Sequence, residues 1–382
     1  MSTLWIFNPD NDIALGNNLK HFTPPRNAML LRQYGAMLPA WIADAGDIVF
    51  TEFTADATWL RHISQTYGKE LEILTTENCT RVAHLQPWGW SRAIVDTFSR
   101  AGISSQLLPG DEQIERIRQL SHRHSSVVIN RELQEKGFDV PIPAEFTDTV
   151  SLDEYIGGHG SVVIKSPWSS SGRGVIYSDR IDKATLLRHA EGIIKSQGSV
   201  LAEMRHDKIA DFAMLFSIKD GIARYVGLSV FETLDGGNYT GNIVASEQHL
   251  SSIITHYVSS PYLERLRQAI AAILTKMIGS TYTGICGIDM MVYATADGEP
   301  HLAPCIELNL RYTMGYIAHC LARDIIAPEA IAKMHVTYLG NRSGVNVNEG
   351  VSPQFDNAKR LVKGTLSLIP SNPHFAISLS IE

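Results

Sequence analysis

The sequence predicts an α/β unit followed by an α+β unit. Three observations carry this. Up to about residue 110, strand-like and helix-like segments alternate. From residue 160, strand-like segments crowd together while the helices stand apart. Two of the joins between those later strands carry hairpin turn chemistry. A chain of 382 residues is too long for one small core, so two or three domains are expected.

The first unit opens with the apolar strand "TLWIF" and the turn-rich "NPDND". "NAMLLRQYGAMLPAWIADAG" reads as a helix, "DIVFTEF" and "VAHLQ" as strands, and "SRAIVDTFSRAG" as a helix. Strand–helix alternation of this kind predicts a parallel sheet with crossover helices. Residues 111–150 read mostly as helix and loop, with "DEQIERIRQLSHRH" carrying the helical period. The strands "SVVIK", "GVIYS", "SVLAEM", "FAMLFSI" and "ARYVGLSVFET" follow, interrupted by the helix "KATLLRHAEGIIKSQG". The helix "YLERLRQAIAAILTKMIG" then precedes the strands "GICGIDMMVY" and "CIELNLRY". In the tail, "APEAIAKMHVTYLG" reads as a helix, and "GTLSLI" and "FAISLSI" as strands. "GGNYTGNIVASEQ", 236–248, reads as a long polar loop.

Composition excludes several classes. The formal charge of -7 is spread along the chain without a long basic run, which argues against a nucleic-acid groove. No run of about 18 apolar residues predicts a membrane span, and the N-terminus lacks the basic and apolar regions of a signal peptide. The four cysteines form no CxxC pair or zinc pattern, which fits a reducing, cytoplasmic setting. The 14 histidines include no HExxH, and there is no GxSxG elbow.

Two stretches carry chemistry. "KSPWSSSGRG", 165–174, lies between strand-like segments, so it closes a β-hairpin; a phosphate-binding P-loop would instead lead into a helix and carry GxxxxGK[ST]. Glycines let backbone N–H groups approach phosphate oxygens, serines add hydroxyl donors, and Lys165 adds a charge. The plain alternative is a surface turn with a solvated lysine. In "CIELNLRY", Ile306, Leu308 and Leu310 face one way, and Glu307, Asn309 and Arg311 the other. Carboxylate and amide oxygens are hard ligands for magnesium, and an arginine beside them binds anions. "ADGE" is a hairpin signal joining this strand to "GIDMMVY". A two-residue loop would set Asp289 opposite Ile306; one extra residue, compatible with Pro300 and Pro304, would set it opposite Glu307. The plain alternative here is an exposed polar strand face.

Taken in order, Lys165, the Gly/Ser hairpin, "LAEM", "DFAM", "GIDMMVY" and "IELNLR" resemble the ATP-grasp superfamily over about residues 120–320. The resemblance implies a Rossmann-like N-terminal domain (1–110), an ATP-grasp fold of two α+β subdomains clamping ATP (111–320), and a C-terminal helix and strands completing the fold (321–382). It implies that Lys165 contacts ATP phosphates and that a loop with Ser169, Ser170, Ser171, Gly172 and Gly174 covers them. It places Glu203 and Met204, in the hinge "AEMR", at adenine, and Asp211 at ribose. Asp289, Glu307 and Asn309 would hold Mg2+, with Mn2+ as a substitute, and Arg311 would stabilise a reacting carboxylate or acyl phosphate. The family's earlier ATP-contacting cation has no clear match: Arg123, in "SHRH", is a weak stand-in, and a solvated helix arginine is the preferred reading.

The function so implied is an ADP-forming ligase that activates a small-molecule carboxylate for attack by an amine or thiol, with no nucleic-acid or membrane partner and with a homodimer allowed. A small-molecule phosphotransferase and a non-catalytic nucleotide-binding module are the competing readings. "NPDND" reads as an Asx turn or an acceptor contact, and Trp88 and Trp90 as core or pocket lining.

Overall fold

The computed structural model describes residues 2–54, 56–67, 70–74, 79–169, 172, 174–234, 237–340 and 351–382. Its first sheet is parallel, in the order β3-β2-β1-β4, with β1 Ser2–Ile6, β2 Ile48–Phe50, β3 Glu72–Ile73 and β4 Val82–Pro87. Alternation sends Leu4, Ile6 and Ile48 to one face, where they meet Ile94 and Phe98 of the helix Arg92–Arg100. The long helix expected at 27–46 is split into a helix, Arg26–Tyr34, and a short 3-10 turn, Leu38–Trp41. The break falls at Gly35, where an added Cβ would lie 2.6 Å from the Phe7 ring, and Pro39 then removes a helical donor.

The second sheet has the order β5-β8-β6-β7: β5 Ala144–Phe146, β6 Val162–Lys165, β7 Val175–Tyr177 and β8 Val200–Met204, all antiparallel. The β6–β7 pair is the hairpin expected around the Gly/Ser loop. Ile164, Val200 and Ala202 pack against Leu152 and Leu186 of the helices Thr149–Gly158 and Lys183–Gln197.

The third sheet, also antiparallel, has nine strands. They are β9 Asp207–Lys219, β10 Ile222–Thr233, β11 Tyr239–Val244, β12 Gly284–Ala294, β13 Pro300–Asn309, β14 Ala332–Tyr338, β15 Gln354–Phe355, β16 Leu361–Ser367 and β17 Phe375–Ile381. Their order is β13-β12-β9-β10-β11-β14-β17-β16-β15. Two expectations fail here. The segment 239–244 is a strand rather than a loop, and 332–338 is a strand rather than a helix, the helix lying earlier at Met314–Asp324. The reason is visible in "AKMHVTY": Ala332 and Met334 are buried while Lys333 and His335 are exposed, a period of two. Pairing of β11 with β14 then joins the tail to the sheet, and it needs Gly241, where a Cβ would fall 2.0 Å from the Met334 carbonyl oxygen.

Each face of this sheet has its own core. Phe212, Met214, Phe216, Cys286, Ile288 and Met290 pack on Leu266, Ile270, Ile273 and Leu274 of the helix Ser260–Ile278. The opposite residues of β9 and β12, Ala213 and Asp289 among them, therefore face the other side. A second core joins the N-terminal unit to the tail through Phe7, Trp41, Trp88, Ile317, Leu321, Ile377 and Leu379. No disulfide joins the four cysteines, three of which are buried. Among the described residues no helix is long and apolar enough to cross a membrane.

Trp41 is fully buried in that second core, and its indole N–H donates to the Leu368 carbonyl at 2.7 Å. Trp41→Ala is expected to lower unfolding stability by about 3–5 kcal/mol, read as a fall in the urea midpoint, because it leaves both a cavity and an unpaired carbonyl. A midpoint unchanged from wild type would contradict this packing.

Candidate active site

A cleft of about 1130 Å3 opens between the second sheet and the third. Lys165 at the end of β6 and Glu203 and Met204 at the end of β8 line it from one side. Asp211 of β9, Asp289 of β12 and Glu307 and Asn309 of β13 line it from the other, with Arg311 just beyond.

The acidic pair is created by a register change. Near the hairpin turn Ala294 faces Pro300 and Met291 faces Ala303; past Met290 the pairing resumes with Asp289 opposite Glu307. Residues 304–306 of β13 thus span the interval that Met290 alone spans on β12. Pro304 lacks the N–H that a regular ladder would use, which accounts for the bulge there. Of the two registers read from the sequence, the structure has the one that makes the carboxylates neighbours. Asn309, opposite Gly287, hydrogen-bonds Asp289. Burial, and then the neighbouring Glu307 carboxylate, push the Asp289 carboxyl up to about 7 against the opposing pull of Arg311 and Asn309.

Arg123 is not a solvated helix arginine. It is 5% exposed, and its Nη2 lies 3.0 Å from Glu307 Oε1. The same Nη2 donates to Ser169 Oγ at 3.3 Å, while Nε donates to the Ser166 carbonyl at 3.1 Å and the backbone N–H to the Pro167 carbonyl at 3.0 Å. One guanidinium therefore ties the Gly/Ser hairpin to the acidic pair. The sequence signal was faint: a lone arginine between two helices, with no periodicity to mark it.

Lys165 and Glu203 form an ion pair in which both side chains are largely shielded. They are diagonal neighbours, since Lys165 faces Leu201 and Val163 faces Glu203 across β6 and β8. Met204 is 52% exposed on the cleft wall. Asp211 Oδ2 accepts from Lys208 Nζ at 2.7 Å and from Thr233 Oγ1 at 2.6 Å. In the loop, Gly172 has φ +73°, and a Cβ on Gly174 would sit 2.4 Å from the Ser169 Cβ, so both positions require glycine. Ser170 and Ser171 lie outside the described residues.

Arg311 points to a partner that the sequence reading left open. Its Nε and Nη2 grip the Asp12 carboxylate as a fork, at 2.7–3.0 Å, and Nη1 donates to the Tyr312 carbonyl at 3.2 Å. "NPDND" is thus more than a turn: Asp12 touches the site, and the Asn8 side chain donates to the Gly89 carbonyl at 2.8 Å. Trp88 is both core and cleft wall, packing edge to face on Phe7 at 4.9 Å.

Among the described residues no three His, Cys, Asp or Glu side chains gather as a self-sufficient metal cage. Two carboxylates and an amide suit magnesium nonetheless, because this ion is usually held by one or two carboxylates together with substrate phosphates. The upward push on Asp289 is the electrostatic mark of a site in which a cation would relieve repulsion.

A folded-state carboxyl raised above its unfolded value holds a proton that the unfolded chain has released, so stability falls as pH rises from about 4 to about 7. Asp289→Asn removes that dependence. In metal-free buffer, the difference in Tm between variant and wild type should grow in the variant's favour between pH 5 and pH 8. A difference that stays flat across that range would rule out the raised carboxyl.

No known protein-family pattern matches this chain, and no curated protein matches it. Solved structures do match in shape. Biotin carboxylase from Campylobacter jejuni aligns at a TM-score of 0.51 and 10% identity, covering 100% of this chain and 87% of that one. N5-carboxyaminoimidazole synthetase from Staphylococcus aureus aligns at 0.50 and 10%, covering 100% and 93%. The biotin carboxylase domain of 2-oxoglutarate carboxylase from Hydrogenobacter thermophilus aligns at 0.50 and 11%, covering 100% and 86%. All three are ATP-grasp enzymes. With a Rossmann-like parallel sheet leading into two antiparallel sheets that face each other across one cleft, the chain has the ATP-grasp fold.

Proposed function

We propose that this chain is an ATP-dependent, ADP-forming ligase that phosphorylates a small-molecule carboxylate and passes the acyl group to an amine or thiol. The observation that carries this reading is the position of Arg123, in contact with both the phosphate-loop serine and the acidic pair. A nucleotide whose phosphates lie under the Gly/Ser loop would reach Asp289 and Glu307 without leaving that guanidinium. The Hydrogenobacter thermophilus domain was solved with Mg·ADP, ADP and bicarbonate, which accords with this assignment.

Each step asks something definite of the chain. The γ-phosphoryl group and the attacking carboxylate are both anionic, so positive charge is needed where they meet. Arg123, from the join of two helices, and Lys165, from β6, supply it. Magnesium held by Asp289, Glu307, Asn309 and phosphate oxygens would add charge neutralisation there. The carboxylate oxygen attacks γ-phosphorus and ADP leaves. The amine or thiol then attacks the acyl carbon, and phosphate departs with the electron pair of the broken C–O bond. Glu203, paired with Lys165, fixes the lysine's direction, and Asp12 does the same for Arg311. The hairpin over the phosphates would exclude the water that otherwise hydrolyses an acyl phosphate.

ADP release measured over pooled carboxylates and amines tests the reading, and a stable phosphorylated product without ligation would turn it into a phosphotransferase. Glu307→Gln is the informative variant, since Ala would leave buried Arg123 with neither counter-charge nor acceptor there, whereas Gln keeps an acceptor oxygen. Glu307→Gln is expected to lower ATP turnover by at least about 100-fold, or about 2.7 kcal/mol, with the melting curve little changed. Wild-type turnover in that variant would remove Glu307 from the metal site.

A further inference from the structure

The cleft is larger than one nucleotide requires. A pocket that buries a single small ligand measures roughly 300–1,000 Å3, and this one is about 1130 Å3. Its charged lining comes from the strands that carry Lys165, Asp211, Asp289 and Glu307, from the turns beside them, and from Arg123 at the join of two helices. The far wall is built from other parts of the chain: the N-terminal unit, the turn into the helix Met314–Asp324, and the tail strands β14 and β17. Among the described residues, Arg311, in the turn before that helix and already paired with Asp12, is the one charge these parts bring to the cleft; the rest of what they place on the wall is uncharged.

The apolar surface there is ordered by register. Val336 faces Ile377 and Tyr338 faces Phe375, so alternation puts all four on one face of the β14–β17 pair. Phe7 and Trp88 meet edge to face on the N-terminal side. Asn242, Ser229 and Tyr239, polar groups of this lining, are engaged with one another. Asn242 Nδ2 donates to Ser229 Oγ at 2.8 Å and to the Val230 carbonyl at 3.0 Å, and the Tyr239 hydroxyl donates to Asn242 Oδ1. The nearest cations are engaged as well, Arg311 by Asp12 and Arg123 by Glu307.

We propose that this compartment takes the uncharged body of the carboxylate substrate, and that the substrate is a monocarboxylic acid with a hydrophobic or aromatic tail. A phosphate or second carboxylate on that tail would be desolvated without a counter-charge, which the wall cannot offset. Apolar and aromatic contact, by contrast, is what the wall offers. The assignment rests on the ligase reading for the position of the reacting carboxyl, next to Arg123 and the acidic pair.

Binding calorimetry on the full chain, with and without Mg·ADP, tests it using 3-phenylpropanoate and hexanoate against succinate and 3-phosphonopropanoate. The two monoacids are expected to bind at least tenfold more tightly than the two polyacids. Val336→Glu should weaken 3-phenylpropanoate at least tenfold while leaving Mg·ADP affinity unchanged, the latter reporting that the variant is folded. Equal or tighter binding of a polyacid, or no saturable binding of 3-phenylpropanoate to wild type, would overturn the assignment. An ADP-release assay with 3-phenylpropanoate and pooled amines separates the two readings: binding without turnover supports the compartment and counts against the ligase.

Discussion

Two carboxylates held side by side across one pair of strands set the terms for the rest of the molecule. Asp289 and Glu307 are neighbours because the ladder slips at Pro304, and left alone they would repel. Arg123, Asn309 and Arg311 surround them, and the two arginines are each anchored in turn by a different part of the chain. Arg123 hangs from the hairpin backbone, and Arg311 is gripped by Asp12 from the first turn of the N-terminal unit. Charge at one point thus draws together segments nearly three hundred residues apart. That dependence explains why the start of the helix Asn11–Asn17, which carries no motif of its own, is held against the acidic site.

Much of the fold was legible because it depends on local patterns. Apolar β-branched runs such as "SVVI" and alternation such as "IELNL" identify strands wherever a sheet has one core-facing side. The hairpin at 165–174 followed from its flanking strands and turn chemistry, whereas its convergence with 289 and 307 was what the ATP-grasp resemblance implied. The tail was misread because "APEAIAKMHVTYLG" is rich in helix-forming residues, and only the pairing of β14 with β11 and β17 overrides that preference. Arg123 and Asp12 were not legible for a different reason. Each acts through a partner far along the chain, and no single-sequence period encodes such a contact. The two serines at 170 and 171 fall outside what the structure describes.

The uncharged wall is the less conspicuous half of the cleft. It is a continuation of the second core rather than a separate surface, since Phe7, Trp88, Phe375 and Ile377 belong to both. Stability and ligand recognition are therefore entangled there, whereas on the nucleotide side they conflict: an acidic pair that repels itself weakens the fold as pH rises. This is the usual tension between a preorganised polar site and a stable interior.

The ladder between β11 and β14 has one more consequence. By continuing the hydrogen-bonded array from β13 to β15 without a gap, it makes the acidic pair and the tail parts of a single sheet. The four-stranded sheet shares no strand pairing with that sheet; the chain passes directly between them at Arg205–His206, from β8 to β9. The cleft is thus bounded on one side by a slab that carries both the acids and the far wall, and on the other by a sheet that pairs with none of its described strands.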